Sequence, residues 1–342
     1  MRVSERKISR RFMMTVLGGV ATAAVMVSGI SSAMALEKVS MRLKWLTQAQ
    51  FVGFYVAKAK GFYEEEGLDL TINPGGPNLN GESLVASGAE NFAVAGGAEN
   101  MLKSRAKGLP NVGIGMMLQR TPSAYIAHAD SGIKSPQDFK GKTVSTFFTG
   151  AHNTLYAVLS KEGVAADDVK VVPQAVSLAP FVDRQVDVAT VMMFNELIVL
   201  KNRGVDITVF EAEEYGVSFP SDTIITNETM IKDKPKVVQG FLNASIRGWK
   251  YAHENPEETI DILMEAAPSL DRAHQAAMLE GVSKLMVADK GTSEGIAVLD
   301  REKLEGVRAY LIEKGELPET VKLDDAMNTS FWAAVPDAYK KP

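Results

Sequence analysis

The sequence has no cysteine, only four histidines and 7% aromatic residues. The missing thiols exclude a disulfide scaffold, thiolate-bound zinc, iron–sulfur ligation and a cysteine nucleophile. The four histidines, His128, His152, His253 and His274, are nowhere paired at metal-ligand spacing, and no phosphate-binding loop occurs. Positive charge is also scarce: 37 Lys and Arg stand against 42 Asp and Glu, a formal net charge of −5. Arg2, Arg6, Lys7, Arg10 and Arg11 crowd the extreme amino terminus, so the remaining chain is more acidic still. A basic face for nucleic acid or anionic lipid is therefore excluded as the main feature, and no nucleic-acid partner is expected. What is present is 342 residues, 46% hydrophobic and 23% charged, enough for one or two packed cores.

The basic stretch at residues 2–11 is followed by a mildly apolar run from Phe12 to Ile30, and Ala33-Met34-Ala35 supplies small residues at signal-peptidase positions. The reading is a signal peptide over residues 1–35, cleaved after Ala35. The glycines and threonines of the run argue against a membrane anchor. Ser9-Arg10-Arg11-Phe12-Met13 resembles a twin-arginine signal, which leaves the export route open between that pathway and ordinary secretion. With no cysteine at the cleavage point there is no lipid anchor, so a periplasmic location is expected.

Alternation of Val39, Met41, Leu43 and Trp45 with Ser40, Arg42 and Lys44 predicts a strand. A helix over Phe51–Phe62 and a strand over Leu68–Ile72 complete a βαβ unit of a parallel sheet. Further strands are predicted at 91–95, 111–118, 141–146, 169–172, 186–193 and 207–210, with helices between them. After Asp222 only helices follow, at 235–253, 256–266, 272–287 and 301–313. This predicts an α/β fold of two lobes with a helical carboxy-terminal return and a ligand at the strand ends between the lobes.

Leu43-Lys44-Trp45-Leu46, the run Phe54-Tyr55-Val56-Ala57-Lys58-Ala59-Lys60-Gly61-Phe62-Tyr63-Glu64-Glu65-Glu66-Gly67, Gln119-Arg120-Thr121-Pro122, residues 131–144 and Phe194-Asn195-Glu196 carry a resemblance. The chain resembles periplasmic substrate-binding proteins of ABC importers, in the branch that holds thiamine-pyrimidine-precursor, riboflavin, alkanesulfonate and nitrate binders. The resemblance implies a bilobal periplasmic-binding-protein fold with a hinge, lobe 1 formed by residues 36–123 and 223–342 and lobe 2 by residues 124–222. It further implies a monomer that closes on a small molecule and delivers it to an ABC permease in the inner membrane, with no cofactor. Trp45 and Asn195-Glu196 most resemble the pyrimidine and riboflavin group; a sulfonate, taurine or nitrate ligand is the alternative. The related fungal synthase depends on a cysteine-rich iron motif, which this chain lacks.

Candidate ligand contacts follow from strand ends and helix starts. Trp45 offers a flat face for a heteroaromatic ring, the other reading being a core aromatic. Gln48, Gln50 and Phe51 open the next helix as a polar hook or wall, or as packing and capping residues. Gly96 and Gly97 allow close backbone approach, and Thr149, Gly150 and His152 stand at the corresponding place in the second lobe, His152 otherwise facing water. Asn195 and Glu196 present an amide and a carboxylate, and Asp222 lies at a hinge. Catalysis is not expected: Gly291-Thr292-Ser293-Glu294-Gly295 matches a nucleophile elbow, but every histidine precedes Ser293, and Gly113-Ile114-Gly115 lacks the third glycine of a dinucleotide fingerprint.

Overall fold

The computed structural model describes residues 35–77 and 79–342, so the expected leader lies outside the described residues apart from Ala35. The first sheet runs β2-β1-β3-β10-β4, built from β1 (Glu37–Arg42), β2 (Leu68–Asn73), β3 (Phe92–Val94), β4 (Asn111–Leu118) and β10 (Ser221–Asn227). The second runs β7-β6-β8-β5-β9, from β5 (Ser123–His128), β6 (Thr143–Thr146), β7 (Lys170–Pro173), β8 (Val188–Met192) and β9 (Ile207–Glu211). In each sheet four strands run the same way, and one, β10 or β5, inserts antiparallel beside the far edge strand.

These two antiparallel strands depart from the all-parallel pattern predicted from sequence. Both follow directly on a crossing between the lobes, at 119–122 and 212–220, and both are buried along their whole length. Burial on both faces removes the alternation by which a strand is read. Thr121 ties the crossings together: its hydroxyl oxygen accepts from Phe219 N at 2.5 Å, and Thr121 N donates to Glu213 Oε1 at 3.1 Å. The chain thus passes between lobes through two strips that are bonded to each other, a geometry suited to hinge motion.

Strand β1 buries Val39 and Met41 against the first core and stops at Arg42, short of the predicted Trp45. Its partner β2 ends opposite it at Asn73, because Pro74 has no N–H to continue the ladder and Gly75 turns back to donate to Trp45 O at 2.9 Å. Trp45 therefore lies on a bend beyond the strand end.

Helix α1 (Val52–Ala59) crosses α5 (Pro235–Glu254), the helix predicted at 235–253, with the backbones nearly touching. Between them in sequence come α2 (Ala98–Ala106), α3 (Ala151–Lys161) and α4 (Glu196–Asn202), whose amino ends reappear below. A Cβ added at Gly53 would sit 2.2 Å from the buried Trp249 ring, and one at Gly248 would sit 2.3 Å from Gly53 O. Gly53→Ala should cost about 2 kcal/mol through overpacking, lowering the urea midpoint without changing its slope. Wild-type stability would show that the helices slide apart freely.

The helical return continues with α6 (Arg272–Met286) and α7 (Arg301–Glu313). Leu304, Val307 and Leu311 of α7 share one apolar cluster with Met101 and Leu102 beside the first sheet and with Tyr125, Phe139 and Leu155 beside the second. The return thus packs on both lobes. Among the described residues no helix is long and apolar enough to cross a membrane.

Candidate functional site

The strand ends of both sheets face one cleft of about 650 Å³, counting the part open to solvent. Trp45 and Phe147 form an aromatic edge across it, ring centroids 5.4 Å apart and inclined at 72°. Three helix amino ends converge there: α2 capped by Gly97 from the first lobe, and α3 capped by Gly150 and α4 capped by Asn195 from the second. Their positive dipole ends face the cleft, although several of the first N–H groups are already bonded, Ala98 N to Pro220 O at 3.0 Å and His152 N to Phe147 O at 3.1 Å among them.

The lobes are in contact. Asn100 Nδ2 of the first lobe donates to Thr149 O at 3.2 Å, Asn153 Nδ2 of the second donates to Asn100 Oδ1 at 2.9 Å, and Lys103 Nζ donates to Asn153 Oδ1 at 2.7 Å. Gly150 sits at φ +145°, with little room for a side chain above Asn100 and Gly96. A Cβ at Gly97 would stand 2.3 Å from Glu99 Oε2 and 2.8 Å from Pro220 O, so the crossing back to the first lobe presses directly on the cleft.

Two carboxyls look into this space in different states of preparation. Glu196 in the first turn of α4 is buried, and both its oxygens already accept hydrogen bonds, Oε2 from Met192 N and Oε1 from Asn195 Nδ2, each at 2.9 Å. Burial raises its pKa, and the bonds from the Met192 N–H and Asn195 pull it back part of the way. Asn195 is oriented in turn by His274 of α6, whose Nε2 donates to Asn195 Oδ1 at 2.8 Å. Since Asn195 Nδ2 serves Glu196, its Oδ1 is the acceptor, which fixes the imidazole with its proton on Nε2.

Glu99 in the first turn of α2 is 3% exposed, and its Oε2 has no hydrogen-bond partner among the described residues. Burial pushes its pKa from 4.5 up to about 7, against the opposing pull of its own N–H, Lys103 and Lys44. Lys44 reaches the same wall but is held by a salt bridge to Asp222 and by Ser221 Oγ at 3.3 Å. Asp222, at φ +59° in the left-handed region, also accepts from Gln50 Nε2 at 2.8 Å, and Gln48 Nε2 donates to Gln50 Oε1 at 2.7 Å.

Of the residues singled out from sequence, Trp45, Gln48, Gln50, Gly96, Gly97, Thr149, Gly150, Asn195 and Glu196 line the cleft. Phe51 does not: it is 1% exposed in the first core, because the turn at Ala49–Phe51 rolls its ring inward. His152 lies behind the wall against Phe148 and Tyr156, and burial lowers its pKa. Asp222 stands one layer back, fixing Lys44 and Gln50 rather than facing the cleft. Lys44, Glu99 and Phe147 were missed. A glutamate in the first turn of a helix is usually a solvated charge favoured by the dipole. The Gly-Gly pair just before Glu99 was the available signal, since only glycine leaves room for its side chain to fold over the backbone.

A family model described as NMT1/THI5 like matches residues 48–259. The riboflavin-binding protein RibY of Chloroflexus aurantiacus is 25% identical over 86% of this chain and 86% of its own. The formylaminopyrimidine-binding protein of Halalkalibacterium halodurans is 28% identical over 86% of this chain and 91% of its own. A 4-amino-5-hydroxymethyl-2-methylpyrimidine phosphate synthase of Legionella pneumophila is 30% identical over 68% and 75% respectively. Among solved structures, the alkanesulfonate-binding protein SsuA of Xanthomonas axonopodis pv. citri, bound to MOPS, superposes with a TM-score of 0.64 at 15% identity, covering 85% of this chain and 98% of that one. The fold is that of the periplasmic binding proteins, and the chain belongs to the NMT1/THI5-like family.

Proposed function

We propose that the chain is the solute-binding subunit of an ABC importer, exported to the periplasm, and that it captures a small amino-substituted heteroaromatic of the thiamine-pyrimidine-precursor kind, or riboflavin. The observation that carries this reading is the cleft itself, in which an aromatic edge, Trp45 with Phe147, stands beside two buried carboxyls, Glu99 and Glu196. A ring stacks on the first, and its amino or imino donors bond to the second. The binding-protein names of two relatives support the same class of ligand. The synthase name of a third makes catalysis the competing reading. Non-covalent capture is favoured here because the cleft joins two hinged lobes and the chain holds no cysteine.

The sulfonate reading has one observation in its favour, the Lys44 amine at the wall. Asp222 already neutralises that amine, and two carboxyls face where the anion would sit, so an anion is disfavoured by charge. Thermal-shift screening of the protein from Leu36 decides between them, since a ligand that binds the folded state raises Tm. Aminopyrimidines or riboflavin should raise it while taurine, MOPS and nitrate do not; a shift with the anions alone would discard the heteroaromatic ligand. Turnover of a bound pyrimidine would overturn the binding-protein reading.

A further inference from the structure

Glu99 differs from the other charged groups near the cleft in that, among the described residues, no side chain bonds to it and its Oε2 has no hydrogen-bond partner. Lys44, on the loop after β1, is engaged by Asp222 and Ser221. Lys103, one turn along α2, is engaged by Asn153 and Glu316. Glu82, on the preceding helix, adds negative charge, and Glu196 faces the same space from the second lobe with its own donors supplied. His152 of α3 turns its ring to Phe148 and Tyr156. Among the described residues no charged side chain of the cleft is thus left to donate to Glu99 Oε2, although the atom is fully buried and the residue lines the cavity. A buried acceptor left unmade costs about 1–3 kcal/mol, more if charged, and the cleft is where a donor can arrive.

We propose that Glu99 is a specificity-determining residue: its carboxylate accepts an N–H or O–H from the bound solute on the first-lobe wall, opposite Glu196 on the second. This rests on the heteroaromatic reading and sharpens it. The site takes neutral or cationic heterocycles that carry donors toward both lobes, and it turns anions away. A ring that satisfies Glu196 alone closes the lobes over a bare carboxylate and binds more weakly.

Because the donor needs the ionised carboxylate, binding competes with a proton on Glu99. Affinity then rises with pH across the range in which Glu99 ionises, near pH 7. Isothermal calorimetry with 4-amino-5-hydroxymethyl-2-methylpyrimidine at pH 6, 7 and 8 tests this on the wild-type protein and on Glu99→Gln. Relative to the variant, wild-type Kd should tighten about tenfold from pH 6 to pH 8. The ligand's own titration is common to both proteins and cancels in the ratio.

A pH-independent ratio, or one that moves the other way, overturns the role of Glu99 while leaving the heteroaromatic reading intact. If neither the pyrimidine nor riboflavin binds wild type and taurine or MOPS does, the ligand reading itself falls, and Glu99 with it. Should Glu99→Gln not fold, wild-type titrations at pH 7 in two buffers of different ionisation heat serve instead. Release of about half a proton on binding supports the proposal, and uptake or no exchange overturns it.

Discussion

Glu99→Gln should stabilise the ligand-free protein by about 3 kcal/mol at pH 8 and by less than about 1 kcal/mol at pH 5. The sign follows from the direction of the shift. Burial raises the Glu99 pKa from 4.5 to about 7, so the folded state holds a proton that the unfolded chain has already released. Wild-type stability is therefore unaffected below pH 4.5, falls as pH rises toward 7, and carries the full cost above that. Glutamine keeps the shape and never ionises. Urea unfolding of both proteins at pH 5 and pH 8 measures the difference. Equal midpoints at pH 8 would mean that water or motion of the lobes solvates the carboxyl. The same substitution lowers affinity for a donor-bearing ligand, so the residue trades stability for binding, as functional sites commonly do.

Trp45→Ala should weaken binding of the aminopyrimidine or flavin about 100-fold while lowering unfolding stability by only about 1 kcal/mol. The ring is partly exposed, lines the cleft and meets Phe147 edge-on, so most of what it contributes is realised only when a ligand fills the gap. Calorimetry for affinity and urea unfolding for stability separate the two effects. A loss of stability as large as the loss of binding would make Trp45 a core residue, the other reading its position allowed. Phe147→Ala should move affinity in the same direction by less, since Phe147 offers a smaller face.

Much of this was legible in the linear sequence. Elements whose two faces meet different surroundings announce themselves by period, and helices 151–161, 256–266 and 301–313 fall at the predicted residues; strand 111–118, buried throughout, was legible instead as an apolar run. Positions at strand ends and helix starts were likewise enough to select Trp45, Gly96, Gly97, Thr149, Gly150, Asn195 and Glu196, all of which line the cleft. Composition alone excluded thiol chemistry.

Tertiary structure alone decided the rest. β5 and β10 were hidden because they are buried on both faces yet carry buried polar residues, Ser123 and His128 in one and Ser221, Asp222, Thr223 and Asn227 in the other, so they show neither alternation nor an apolar run, and their antiparallel placement depends on where the chain crosses between lobes. Phe51 went to the interior and His152 turned against Phe148 and Tyr156 because backbone rotation at a helix start, set by packing, determines which neighbouring side chain faces the cleft. Asp222 lies behind Lys44 rather than beside a ligand, since a buried carboxylate needs a counter-charge and the half-buried Lys44 ammonium supplies it. Glu99 is the clearest case: its residue type and helix position suit a solvated charge equally well. Only the fold, by closing Gly97, Pro220 and the second lobe around it, made it a buried carboxyl with one oxygen unpartnered.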